Sequence, residues 1–171
     1  MRTRSEPPQR PGITARQGCT WPGNPVSAHV DAEVAWSTMC GTHTLVVTEA
    51  FTALPDDKSH LVGAQVHGGD DDVTVFRLEG SNLYITDGDD RHHHLVTDDY
   101  RLGTWFEARF LAEDGEIDVY SNRQPQTTIS HDGDSYFKAG AYTQANCDSS
   151  EPCADDNYGE VRISGIEVAH S

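Results

Sequence analysis

The sequence predicts an all-β sandwich, and three observations carry that expectation. About ten short segments alternate apolar and polar residues with the period of two that belongs to strands. Between them lie dense turn signals, among them Glu79-Gly80-Ser81, Asp87-Gly88-Asp89-Asp90, Glu113-Asp114-Gly115 and His131-Asp132-Gly133-Asp134. No stretch carries a convincing helical apolar repeat. Many short strands joined by Gly and Asp turns point to two packed sheets.

Taken in order, Arg4-Ser5-Glu6 reads as a strand with Arg4 and Glu6 on one face. Pro7 and Pro8 end it or confine it to an edge, because proline cannot donate to a ladder. The alternative for this Pro-rich terminus is a disordered basic tail. Residues 13–24 read as loop, and Trp21-Pro22-Gly23-Asn24-Pro25 is turn chemistry. Val30 to Ser37 alternates as a half-buried strand, and Thr44 to Phe51 is a Val- and Thr-rich one. Leu61 to His67 follows, with Ala64 and Val66 pointing one way and Gln65 and His67 the other. Gly68-Gly69-Asp70-Asp71-Asp72 reads as a loop at a cleft mouth. Its three acids lack the spacing of a calcium loop, so a solvated turn is expected.

Val73 to Leu78 and Asn82 to Thr86 form a hairpin. His92-His93-His94 reads as a polar edge or loop, since consecutive strand residues cannot converge on one ion. Thr104 to Leu111 pairs with Glu116 to Ser121, Thr127 to Ser130 is short, and Arg162 to Val168 closes the chain. Between the last two lies Tyr136-Phe137-Lys138-Ala139-Gly140-Ala141-Tyr142-Thr143-Gln144. Read as one strand, it places Tyr136, Lys138, Gly140, Tyr142 and Gln144 on one face, with Phe137, Ala139 and Ala141 on the other. Two strands with one polar face each imply the wall of a cleft.

Length and charge exclude whole classes of partner. The 171 residues suit a single domain over 1–171, with 1–25 irregular. No apolar run approaches the ~20 residues of a membrane helix, so no membrane partner is expected. A formal net charge of −16 argues against nucleic acid. Cys19, Cys40, Cys147 and Cys153 allow three pairings. Pairing neighbours, Cys19 with Cys40 and Cys147 with Cys153, closes short loops and suits a secreted chain; free thiols in a cytosolic one are the alternative. No CxxC or matching His spacing suggests zinc, and neither a metal nor a cofactor is expected.

The nine residues from Tyr136 to Gln144, the upstream Gln65-Val66-His67 and the N-terminal Arg4-Ser5-Glu6 resemble the three motifs of alginate lyases of polysaccharide lyase family seven. Their order along the chain is also that family's order. The resemblance implies a concanavalin-like jelly roll, two curved antiparallel sheets with a substrate groove on the concave side. Similar proteins carry strands before the first motif, so an N-terminally truncated chain is expected. This chain also departs from the family where Pro7-Pro8 replaces an apolar residue and a second Arg. The extracellular localisation and the monomeric state expected here rest on the same resemblance, since Met1 to Gln17 contains no apolar core of a signal peptide.

A polyuronate can be cut by β-elimination, which sets three tasks. The carboxylate beside C5 must be neutralised, the C5 proton removed and the leaving O4 protonated. Arg4 and Gln65 are donors suited to the carboxylate, and His67 together with a Tyr of lowered pKa suits the proton transfers. The resemblance implies the same catalytic set, Arg4, Gln65, His67 and Tyr142, with Lys138, Gln144, Tyr136 and Glu6 binding alginate or a related polyuronate. It also links the middle residue of the Gln-x-His motif to substrate choice, and Val66 is similar to members favouring mannuronate blocks. A non-catalytic polyuronate-binding module and an inactive truncated lyase remain as alternatives.

Overall fold

The alternating segments pair into two antiparallel sheets that face one another across an apolar layer. The structure, a computed structural model, describes residues 35–69, 71–143, 154 and 156–171. Its strands are β1 (Trp36–Ser37), β2 (His43–Ala53), β3 (His60–Gly68), β4 (Asp71–Glu79), β5 (Asn82–Asp87) and β6 (Asp90–Thr97). They continue as β7 (Phe106–Glu113), β8 (Glu116–Ser121), β9 (Gln124–Ser130), β10 (Asp134–Lys138) and β11 (Glu160–His170). One sheet has the order β1-β10-β3-β4-β5-β6 and the other β11-β2-β7-β8-β9. The fold is an open jelly-roll sandwich with no helix among the described residues. Expectations for residues 1–34 lie outside the described part.

Period two decides what the sandwich buries. Leu45, Val47 and Phe51 of β2 and Ala108, Phe110 and Ala112 of β7 meet Ala64 and Val66 of β3 and Phe76 and Leu78 of β4. Each large aliphatic or aromatic side chain so buried contributes roughly 1.5–3 kcal/mol. Hairpin turns fix the pairing. At the β7–β8 turn, Asp114 and Gly115 both take positive φ (51° and 80°), the twist that matches right-handed strands. At the β8–β9 turn the same conformation falls on Asn122 and Arg123 (49° and 66°), where the Asn122 side chain accepts the Glu107 NH at 3.0 Å.

Three expectations change. Asp71 and Asp72 open β4 instead of lying in a loop: the ladder to Gly68 and His67 continues while their side chains stay wholly or partly exposed. The motif segment is not one strand to Gln144, because β10 ends at Lys138. Gly140 takes φ of 150°, which interrupts a regular strand, and Tyr142 returns to the sheet through a single bridge to Val62. Ala141 is consequently exposed instead of packed on the core, whereas Phe137 and Ala139 do pack against it. His92, His93 and His94 lie on the edge strand β6, where His93 and His94 reach Thr127 and Gln126 of β9 at 3.1 and 3.2 Å.

Candidate active site

β3 and β10 are neighbours, and their register brings the motif side chains together. Tyr136 lies opposite His67 and Lys138 opposite Gln65, while Val66 pairs with Phe137. Directly opposed residues share a face, so these four side chains stand on the face turned away from the core. Val66 points inward and is fully buried.

Tyr142 joins the same face by a different route. Its NH and carbonyl both bond the backbone of Val62, at 3.1 and 3.0 Å. Val62 is paired with Arg77 and Gln65 with Val75, two residues apart on β4, although Val62 and Gln65 are three apart on β3. That extra residue is a β-bulge, which turns Val62 to the side of Gln65 and His67. Val62 and Val75 are buried at 7% and 2% exposure yet stand apart from the core cluster, as side chains on the outer face must. Tyr142 itself is 57% exposed.

Contacts within the group are short. His67 Nε2 lies 2.9 Å from Gln65 Oε1. The His67 and Tyr136 rings are 5.4 Å apart, and Lys138 Nζ sits 4.9 Å from the centre of the Tyr136 ring, a cation–π geometry. The Nδ1 edge of His67 is buried, so any proton exchange with a group on this face has to pass through the Nε2 edge that Gln65 holds. Lys138 is exposed and supplies positive charge at the rim.

One row further along β4, Arg77 lies opposite Val62 on one side and Tyr84 on the other. It is only 6% exposed, and it donates from Nε to Glu79 Oε1 at 2.7 Å; Glu79 Oε2 in turn meets His92 Nε2 at 2.8 Å. Burial pushes the Glu79 carboxyl up, but hydrogen bonds from His92 and Arg77 outweigh it and hold it below the usual carboxylate range. Sequence reasoning missed Arg77. The signal was there in the alternation of Val73, Val75 and Arg77 against Thr74, Phe76 and Leu78.

Of the residues expected at the site, Gln65, His67, Tyr136, Lys138 and Tyr142 share one face. Arg4, Glu6 and Gln144 lie outside the described residues, as do Cys19, Cys147 and Cys153. Cys40 is disulfide-bonded, and its partner also lies outside them. No group of three or more His, Cys, Asp or Glu that could hold a metal occurs among the described residues.

A family model described as alginate lyase matches residues 26–170, a span that begins after Arg4 and Glu6. No curated protein matches the chain. Among solved structures it is similar to the alginate lyase from Corynebacterium sp., with 59% identity over 82% of this chain and 64% of that one and a TM-score of 0.80. It is similar to the polysaccharide lyase family 7 alginate lyase AlgAT5, with 40% identity, 80% and 62% coverage and a TM-score of 0.74. A third similarity is to truncated AlyQ, which has CBM32 and alginate lyase domains: 31% identity, 82% and 44% coverage and a TM-score of 0.72. The chain thus spans less than two thirds of the length of each of these three.

Proposed function

Because the chain belongs to the alginate lyase family, we propose that it cleaves alginate or a related polyuronate by β-elimination on the face that carries Gln65, His67 and Tyr142. The observation that carries this reading is the hydrogen-bonded Gln65–His67 pair set opposite Lys138 and Tyr136 on β10. It combines, within one cross-strand unit, an amide for a carboxylate, an imidazole for a proton and an ammonium for a polyanion.

In the free protein the pair satisfies itself. A bound uronate brings its carboxylate to Gln65, whose amide NH2 donates to it, and releases the Nε2 edge of His67. The ring proton that Nε2 shared with Gln65 moves to Nδ1, so the freed Nε2 takes the C5 proton, and the electrons of that bond form the C4–C5 double bond as the C4–O4 bond breaks. The Tyr142 hydroxyl donates its proton to the leaving O4. Negative charge growing on the carboxylate is met by Gln65 and, in this reading, by Arg4, the type of preorganised stabilisation that usually dominates such reactions. Lys138, Tyr136, Gln144 and Glu6 hold neighbouring sugars, and Val66, turned into the core, acts on mannuronate preference only through the backbone. The site belongs to a single domain over 1–171, acts as a monomer and works outside the cell, a setting that suits the disulfide at Cys40. Neighbouring pairs, Cys19–Cys40 and Cys147–Cys153, complete the framework.

Incubation with alginate should produce the ultraviolet absorbance of an unsaturated uronate and shorten the polymer. One observation favours a second reading, a polyuronate-binding module: the family match begins after Arg4, the expected carboxylate clamp. Retention on immobilised alginate without any new absorbance decides for the module and against the lyase.

A further inference from the structure

Glu49 is an acid where the pattern demands an apolar residue. It lies on β2 in register with Leu45, Val47 and Phe51, faces the core and is 0% exposed. Its partners across the sheet, Phe106 of β7 and Ile163 of β11, are both apolar. An unpaired buried carboxylate is costly, and such a group persists where it makes a specific contact.

That contact crosses the sandwich. Glu49 Oε1 accepts the backbone NH of Ala64, on the opposite sheet, at 3.1 Å. A regular ladder position would aim this NH at a neighbouring strand. Here the bulge between Val62 and Gln65 turns it inward. Gly63 completes the fit, since a Cβ at that position would overlap the Glu49 carboxylate. Glu49 Oε2 is buried with no hydrogen-bond partner among the described residues, so the Ala64 bond is the contact that holds the group.

The bulge lies between the two halves of the site. Val62, at one end, carries the backbone bridge to Tyr142; Gln65, at the other, is bonded to His67. We propose that Glu49 is a positioning residue: by accepting the Ala64 NH across the core, it holds the bulge in the conformation that presents Tyr142 and the Gln65–His67 pair on one face. The inference rests on the reading of these three residues as the catalytic set. Burial raises the Glu49 carboxyl to about 7, opposed by the Ala64 hydrogen bond. Tyr100 is the titratable neighbour it acts on electrostatically, and the Tyr100 hydroxyl is engaged by the Phe51 NH and the Thr104 carbonyl.

Three variants of the full chain test this. Glu49→Gln keeps a carbonyl acceptor for Ala64 and cannot ionise, Glu49→Leu keeps volume without an acceptor, and Ile129→Val is a core change on β9, in the same sheet as Glu49 and across the core from the site. Misplacing a reacting group by about 1 Å costs on the order of 10²-fold. Glu49→Leu should therefore lose kcat on that scale with little change in KM, while Glu49→Gln and Ile129→Val stay near the parent. A folded Glu49→Leu with parental kcat overturns the proposal. Amide resonances give a readout independent of turnover: the Ala64 NH of the parent should titrate near pH 7, and that of Glu49→Gln should not. If the parent does not cleave alginate, the catalytic reading fails, and positioning is judged by these resonances alone. Unchanged Val62, Tyr142, Gln65 and His67 signals in Glu49→Leu then overturn it.

Discussion

Tyr142 differs from the other site residues because only its backbone is held by the sheet, through the two bonds to Val62. Its ring is largely exposed, so removing the hydroxyl should disturb chemistry and leave packing intact. General acid–base groups typically contribute about 10²- to 10⁴-fold, and Tyr142→Phe should lower kcat on alginate within that range with KM little changed. A well-folded Tyr142→Phe protein that keeps the parental rate removes Tyr142 from the acid role. Glu49 makes the opposite case, a residue with no access to substrate whose hydrogen bond reaches the site from behind.

At the scale of elements, the β8–β9 hairpin holds a correctable strain. Arg123 sits at φ of 66°, a left-handed conformation that costs a non-glycine residue roughly 1–2 kcal/mol. The Arg123 guanidinium lies 3.7 Å from Glu107, an exposed pair worth about 0–1 kcal/mol. Relief of the strain outweighs loss of the pair. Arg123→Gly creates the Asn-Gly turn favoured in two-residue hairpins and should stabilise by about 0.5–1 kcal/mol. For a domain of this size that raises Tm by roughly 1–4 °C, which thermal denaturation can resolve. A fall in Tm shows that the Glu107 contact dominates. The bulged β3 strand teaches a related lesson, since its irregularity sets which side chains the neighbouring segments meet.

For the whole molecule, buried ionisable groups tilt stability against pH in opposite directions. Glu49 holds its proton more tightly when folded, with a value raised from 4.5 to about 7, so its stabilisation is full below pH 4.5 and is lost as pH rises through about 7. The shift amounts to roughly 3 kcal/mol at most, and Glu49→Gln should remove this slope. Its Tm, measured between about pH 5 and 8, should gain on the parent as pH rises; parallel curves would show that Glu49 ionises normally. His170 runs the other way. Burial and the neighbouring His43 lower it from 6.5 to about 4, so its contribution is full above pH 6.5 and lost as pH falls toward 4. The net charge of −16 also acts on the whole surface and repels a polyanion. Raising ionic strength from about 0.01 to 0.15 M shortens the screening length from about 30 to 8 Å. KM for alginate should fall over that interval, and a rise would mean that attraction by Lys138 and its neighbours outweighs the global repulsion.

The sequence by itself determined the class of fold and most strand positions, because period two and turn residues are local signals that need no knowledge of partners. It also singled out Gln65, His67, Lys138 and Tyr142, whose types suit the chemistry proposed for them. Only the tertiary structure decided how they meet. Val62 and Gln65 differ in parity along β3, so simple alternation sends them to opposite faces, and the bulge reverses that. The break at Gly140 was equally hidden, since a glycine within an alternating run is compatible with a continuous strand. Glu49 stood in plain view at a core position of β2, but its partner is a backbone NH fifteen residues away on the other sheet. A backbone donor leaves no mark in the sequence, and a bulge arises from competition between neighbouring ladders that no single strand encodes.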